Sequence, residues 1–160
     1  MVEDRKSPIL CESGIVGVDF GENVRIVRPV NLYGCRIGSD SFIGPFCEIQ
    51  ANVAIGSRCK IQSHTFICEL VEVGDDCFIG HGVMFVNDLF ANGGPAGGDR
   101  SRWGRTKIGN RVSIGSNATI LPVRIADRVV VGAGSVVTRD LAVAGVYAGS
   151  PARLLRPLED

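Results

Sequence analysis

The sequence predicts an all-β chain of stacked, repeating turns of strand, and three observations lead there. An apolar residue recurs every six positions at Ile37, Ile43, Ile49, Ile55, Ile61, Ile67, Val73, Ile79 and Phe85. Glycine follows that residue at 38, 44, 56, 74 and 80, and a small or β-branched residue stands four after it: Ser41, Cys47, Val53, Cys59, Thr65, Val71, Cys77 and Val83. Composition agrees: glycine is high at 21 of 160 residues, aromatics are 6%, and Ile and Val dominate the apolar set. A helical bundle would draw on Leu, Ala, Lys and Glu instead. An ordinary meander would show alternation broken at irregular intervals. Collagen and disorder are excluded, since glycine has no period of three and 45% of residues are apolar.

Taken in order, Phe20, Ile26 and Leu32 lie six apart, a step of five leads to Ile37, and the regular run continues to Phe85. A second run follows a gap: Ile108, Ile114, Ile120, Ile125, Val131 and Val137, with a step of five from Ile120 to Ile125. Each unit is a short strand plus a turn that cannot bury its apolar side alone. Stacking buries a continuous column, and parallel strands about 4.8 Å apart then bond up the stack. The expected organisation is one domain over 1–160, with coils about 14–86 and 107–140, an extruded loop about 87–106 and a tail 141–160.

Seventeen basic and 17 acidic side chains give no net charge and a pI near 6.7. That offers no field for a polyanion, so nucleic acid is not expected as the partner. The charged start Met1–Lys6 has no apolar segment behind it, and no apolar run approaches the roughly 18 residues of a membrane span. The expectation is a soluble, cytoplasmic chain with no membrane partner.

Between the two runs, Gly93-Gly94-Pro95, Gly97-Gly98, Arg100, Arg102 and Arg105 break the repeat. This composition must loop outward. A floppy excursion is the bland account, but long loops in compact folds are usually functional, and the chain's single tryptophan, Trp103, lies here.

These repeats resemble the hexapeptide-repeat acyltransferases over about residues 20–157. The resemblance implies a single-stranded left-handed parallel β-helix with three hexads per coil, so that residues 18 apart stack. On that rule His64 and His81 are near neighbours, Asn87 lies one coil above Glu69, and His64, Glu69, His81 and Asn87 are expected to cluster beside the loop. The stretches Cys59–His64, Phe78–Gly80, Phe85–Asp88 and Ile114–Pro122 look like the branch that N-acetylates nucleotide-linked amino sugars. The resemblance implies acetyl transfer from acetyl-CoA to an amino group of a UDP- or dTDP-hexose, for lipopolysaccharide or other surface polysaccharide. It also implies a homotrimer whose loop walls a neighbour's site, which makes Asp88, Arg102, Trp103 and Arg105 substrate-loop candidates.

The O-acetylating branches carry a catalytic histidine where this chain has Asn87. A hydroxyl needs a base as it attacks a thioester. A sugar amine, partly neutral near pH 7, needs positioning and oxyanion support. Asn87 is therefore expected to orient the amine or the oxyanion, with His64 or His81, steered by Glu69, taking the proton afterwards.

On the coenzyme side the resemblance points to Gly115, Ser116, Gly132, Ala133 and Gly134 along the pantetheine arm, where turn glycines of the repeat are the plain alternative. Arg139, Arg153 and Arg156 are phosphate candidates, against a merely solvated face. The tail Ala148–Arg153 resembles the family's closing segment, with Ser150 expected to cap a short C-terminal helix that opens at Pro151. The family's Leu-Pro-Gly-Val reads Leu121-Pro122-Val123-Arg124 here, which matches the five-residue step.

Six cysteines occur without a C-x-x-C pair, so no metal site is expected. Cys47, Cys59 and Cys77 fill the small inward position, and Cys59 and Cys77 should stack as reduced core fillers. Two histidines cannot supply the three that carbonic anhydrases of this helix type use for zinc. The helical domains that lipid A acyltransferases and serine acetyltransferases carry are not expected here. The alternatives are a small O-acetyltransferase acting on a sugar or xenobiotic hydroxyl, and a non-enzymatic β-helix scaffold.

Overall fold

Among the described residues, twenty-one short strands arise because every six-residue unit alternates one inward apolar residue with a turn. A computed structural model describes Ile9 and residues 13–158; the reading made on Met1–Lys6 lies outside the described residues. The strands stack into three sheets of seven, six and eight, and the chain visits them in rotation to form the three faces of a prism. In the middle of the prism the first sheet carries Glu48–Ile49, Phe66–Ile67 and Met84–Phe85, the second Ala54–Ile55 and Val71–Val73, and the third Lys60–Ile61 and Phe78–Ile79. Successive coils pair in parallel, as in Phe66↔Glu48 and Ile79↔Ile61. Among the described residues only the last strand pair, Gly145–Gly149 with Ala152–Pro157, runs antiparallel.

The repeat residues Ile43, Ile49, Ile61, Ile67, Ile79, Ile114 and Ile120 are all fully buried. Burial of one such side chain is worth about 1.5–3 kcal/mol. The small inward position has a second job. The hydroxyls of Ser41 and Thr65 and the thiols of Cys47, Cys59 and Cys77 each donate to a turn carbonyl one coil above, at 2.9–3.1 Å. Those carbonyls would otherwise lack a partner inside the prism. Burial pushes the Cys35 thiol up to about 11 and the Cys68 thiol up to about 12.

One turn residue per unit takes the left-handed conformation: Asp40, Phe46, Asn52, Arg58, His64, Leu70 and Asp76 all have φ between 56° and 71°. The glycine that follows the repeat residue is required by close stacking. A Cβ on Gly80 would lie 2.7 Å from the Ser116 nitrogen.

The coil length is uneven. The pairing offset is 18 residues in the middle coils (Phe42↔Lys60) but 17 at both ends (Arg36↔Asp19, Lys107↔Arg124). The two five-residue steps, Leu32 to Ile37 and Ile120 to Ile125, both fall where the chain turns from the first sheet to the second. The loop leaves at this same corner, between Phe85 and Thr106. The repeat's irregularities thus concentrate on one edge of the prism.

The expected C-terminal helix does not form among the described residues. Val146 and Tyr147 extend the third sheet beside Val130 and Val131, and Ala152–Pro157 folds back on them as the outer strand of a hairpin turned at Ser150-Pro151. The open edge above Val130–Val131 supplies partners that a helix would have left unmet. Pro151 and Pro157 bound the returning strand.

Candidate functional site

Two corners of the prism carry the polar residues singled out in the sequence. The first is the turn from the third sheet to the first. It stacks Phe46, then Ser63 and His64, then His81 and Gly82, then Ser116 and Asn117, then Ala133 and Gly134, linked by backbone bonds such as Gly82 N–H to Ser63 O and Asn117 N–H to His81 O. The His64 ring stacks on Phe46 with centroids 4.8 Å apart. The Ser63 hydroxyl and the His81 Nδ1 are hydrogen-bonded at 2.8 Å. Both histidines are exposed. Gly115, Ser116, Gly132 and Ala133 rise above them on the same edge. A Cβ on Gly115 would meet the Ala133 nitrogen at 2.4 Å, so the next coil already demands glycine there, whereas Gly134 faces open space.

The second corner is the irregular one. The Asn87 side-chain amide donates to the backbone carbonyl of Glu69 at 3.3 Å, one coil below. The Glu69 carboxylate is 9% exposed; it accepts from the Asn52 amide at 3.3 Å and pairs with Arg100 of the loop at 3.2 Å. The Glu69 N–H donates to the Gln50 side chain.

The loop above is a built structure. Gly104 N–H donates to the Asn87 carbonyl and closes its base. Asp88 accepts from the N–H groups of Phe90 and Ala96, at 3.0 and 2.6 Å. Those bonds, with Arg102 nearby, hold its carboxyl below the usual range. Asp99 caps a short 3₁₀ turn, Arg100–Arg102, and the Arg100 guanidinium lies over the half-buried Trp103 at 5.9 Å. Arg105 is exposed where the chain re-enters the second sheet.

The structure therefore joins Asn87 to Glu69 and sets the two histidines on adjacent coils of one corner, where His64 stacks on Phe46 and His81 bonds to Ser63, but the two pairs lie on different edges. His81 and Asn87 are six residues apart along one face, which is up to roughly 20 Å of extended chain. Glu69 bonds to Asn52 and Arg100, and neither histidine is among its partners. A cluster of all four within one chain is not formed, because the turn at each end of a strand points to a different corner.

Arg139, Arg153 and Arg156 are exposed near the carboxyl-terminal end, the last two on the hairpin's outer strand. Sequence reasoning missed Phe46, Asn52 and Arg100. The 18-residue rule pairs Phe46 with His64 and could have found that stack. Nothing in the repeat places Arg100, which lies inside the loop.

Comparisons with known proteins agree with this architecture. The hexapeptide repeat of bacterial transferases matches residues 34–69, and the hexapeptide repeat of succinyl-transferase matches 105–139. A variant of AntD, an N-acyltransferase from Bacillus cereus, in complex with dTDP-4-amino-4,6-dideoxyglucose and coenzyme A, is 26% identical with a TM-score of 0.78. That match covers 92% of this chain and 86% of AntD. The hexapeptide-repeat acetyltransferase VCA0836 from Vibrio cholerae, complexed with acetyl coenzyme A, is 29% identical with a TM-score of 0.65, over 79% and 72% of the two chains. Galactoside O-acetyltransferase of Escherichia coli is 50% identical over 54 residues, 33% of this chain and 27% of its own. The chain spans about a quarter of the length of the first curated relatives it matches, 27% in each case. This chain carries hexapeptide repeats over residues 34–69 and 105–139, and its parallel strands stack as a β-solenoid, the architecture that is a left-handed β-helix in the hexapeptide family. Within the group it is similar to acyltransferases that use coenzyme A.

Proposed function

We propose that this protein is a coenzyme A-dependent N-acyltransferase that moves acetyl from acetyl-CoA to the amino group of a dTDP- or UDP-linked amino sugar, in the cytoplasmic synthesis of a surface polysaccharide. The observation that carries the reading is Asn87. An amide, held by the Glu69 carbonyl, stands at the mouth of the loop on coils that match AntD over most of both chains. An amide cannot take a proton from a hydroxyl, but it can orient an amine and donate to an oxyanion.

In this reading the amine lone pair attacks the thioester carbonyl, the C–N bond forms, and the C–S bond then breaks to release coenzyme A as thiolate. The proton lost by nitrogen passes to the thiolate directly or through an imidazole, the side chain suited to proton exchange near neutral pH. The pantetheine arm runs along the corner of Gly115, Ser116, Gly132 and Ala133, above the histidines. Arg139, Arg153 and Arg156 meet the coenzyme's phosphates. Asp88, Arg102, Trp103 and Arg105 belong to the loop that walls the acceptor.

The acting species is a homotrimer with its sites between copies, so that His64 and His81 of one copy meet Asn87 of another. Two features support this. The corners are a full face apart in one chain. The first sheet and the loop also expose Met84 at 42%, Leu89 at 53% and Phe90 at 58%, apolar surface that interfaces commonly cover.

The test is coenzyme A release from acetyl-CoA with dTDP- and UDP-linked amino sugars, using the matching hydroxy sugars as controls. Release that depends on the amine supports N-acyl transfer. Release with the hydroxy sugars alone would replace this reading with O-acetylation, the activity named for the galactoside relative.

A further inference from the structure

We propose that Glu69 is a positioning residue that clamps the extruded loop to the coil carrying Asn87. It bonds to both, to the loop through its carboxylate and to Asn87 through its backbone carbonyl. Its carboxylate holds Arg100 of the loop at 3.2 Å, and its backbone carbonyl receives the Asn87 amide at 3.3 Å. The carboxylate is itself fixed, being 9% exposed and bonded to Asn52, with the Glu69 N–H tied to Gln50.

Burial gives the contact with Arg100 its weight. A carboxylate withdrawn from water depends on its charged and hydrogen-bonded partners, and removing one leaves the other under-satisfied. Arg100 is 65% exposed and reaches inward over Trp103. The loop's other hydrogen bonds among the described residues join its own members: Asp88 to Phe90 and Ala96, Asp99 to Ser101, and Gly104 to Asn87. These bonds shape the loop. Arg100–Glu69 is the ion pair that seats it on the prism. One side chain thus couples the placement of the loop to the placement of the candidate amide. This goes beyond the proposed reaction, and rests on that reading only for the effect on turnover.

The test uses the full chain in four forms: native, Glu69→Gln, Arg100→Gln and the double variant, with Arg100→Lys as the conservative control. Chymotrypsin cutting at Phe90 and Trp103 reads loop seating, and no variant alters those sites. Each single variant is expected to be cut about tenfold faster, and the double variant no faster than either. Arg100→Lys should stay near native, and the melting temperature of the coils should not change. With an active acceptor, kcat should fall about tenfold in both single variants while KM for acetyl-CoA holds.

Unchanged cutting, or effects that multiply in the double variant, would overturn the clamp. Faster cutting with an unchanged kcat would overturn the coupling to Asn87. A native protein inactive on every amino sugar would refute the proposed reaction, and the cutting rates would still decide the clamp.

Discussion

Asn87 and Glu69 sit on adjacent coils, and the Asn87 amide donates to the Glu69 carbonyl at 3.3 Å. The bond takes one N–H of the Asn87 amide; in the proposed mechanism the second N–H or the amide oxygen meets the acceptor. If Asn87 orients the acceptor, Asn87→Ala should lower kcat by about a hundredfold, the order seen when an oxyanion or positioning donor is removed. KM for acetyl-CoA should be little changed. Steady-state kinetics checks this, and activity within twofold of native would remove Asn87 from the mechanism.

Arg153 stands on the exposed outer strand of the terminal hairpin, where it would meet a phosphate without disturbing the core. Arg153→Ala should raise KM for acetyl-CoA several-fold, more than KM for the sugar. The reverse ranking would assign the arginine to the acceptor.

The repeat glycines are under steric demand from the next coil. Gly80→Ala would press its Cβ toward the Ser116 nitrogen, which stands 2.7 Å from that position. Backbone cannot yield as a flexible side chain does, so thermal unfolding should show a loss of about 1–3 kcal/mol. Ile61→Ala in the column should lose about 2–5 kcal/mol through its cavity. A melting temperature unchanged by Gly80→Ala would refute the tight stacking.

Acid should loosen the loop. The Asp88 carboxyl is held below its ordinary 3.8 by the N–H groups of Ala96 and Phe90. A depressed carboxyl contributes its full stabilisation above the unfolded value and loses it as pH falls through the folded one. Trp103 fluorescence, the chain's single tryptophan signal, should therefore hold from neutrality down to about pH 4 and change below it. Asp88→Asn should weaken that transition. A change centred near pH 6 would implicate a different group.

The architecture was legible because one period governs it. The six-residue spacing of Ile43, Ile49, Ile61 and Ile67 names the column, and the five-residue steps mark the short corners. Stacking by 18 also found the Asn87–Glu69 contact. It failed for the four-residue cluster, because it tells which residues stack and says nothing about which of three corners they share. His64 precedes its strand and Glu69 follows it, so a whole face intervenes. The terminal helix failed for a different reason. Ser150-Pro151 suits a helix start and a hairpin turn alike, and the open edge at Val130–Val131 decided between them. Arg100 was illegible because loop contacts have no period.

The nature of the bond made is the most direct test of N-acyl transfer. Acetyl-CoA and a dTDP-linked amino sugar are incubated with the full chain, and the product is treated with alkaline hydroxylamine and followed by mass spectrometry. The account predicts one acetyl group that survives, as an amide does. Loss of the acetyl group as from an ester, or coenzyme A release with no acetylated sugar, would contradict it.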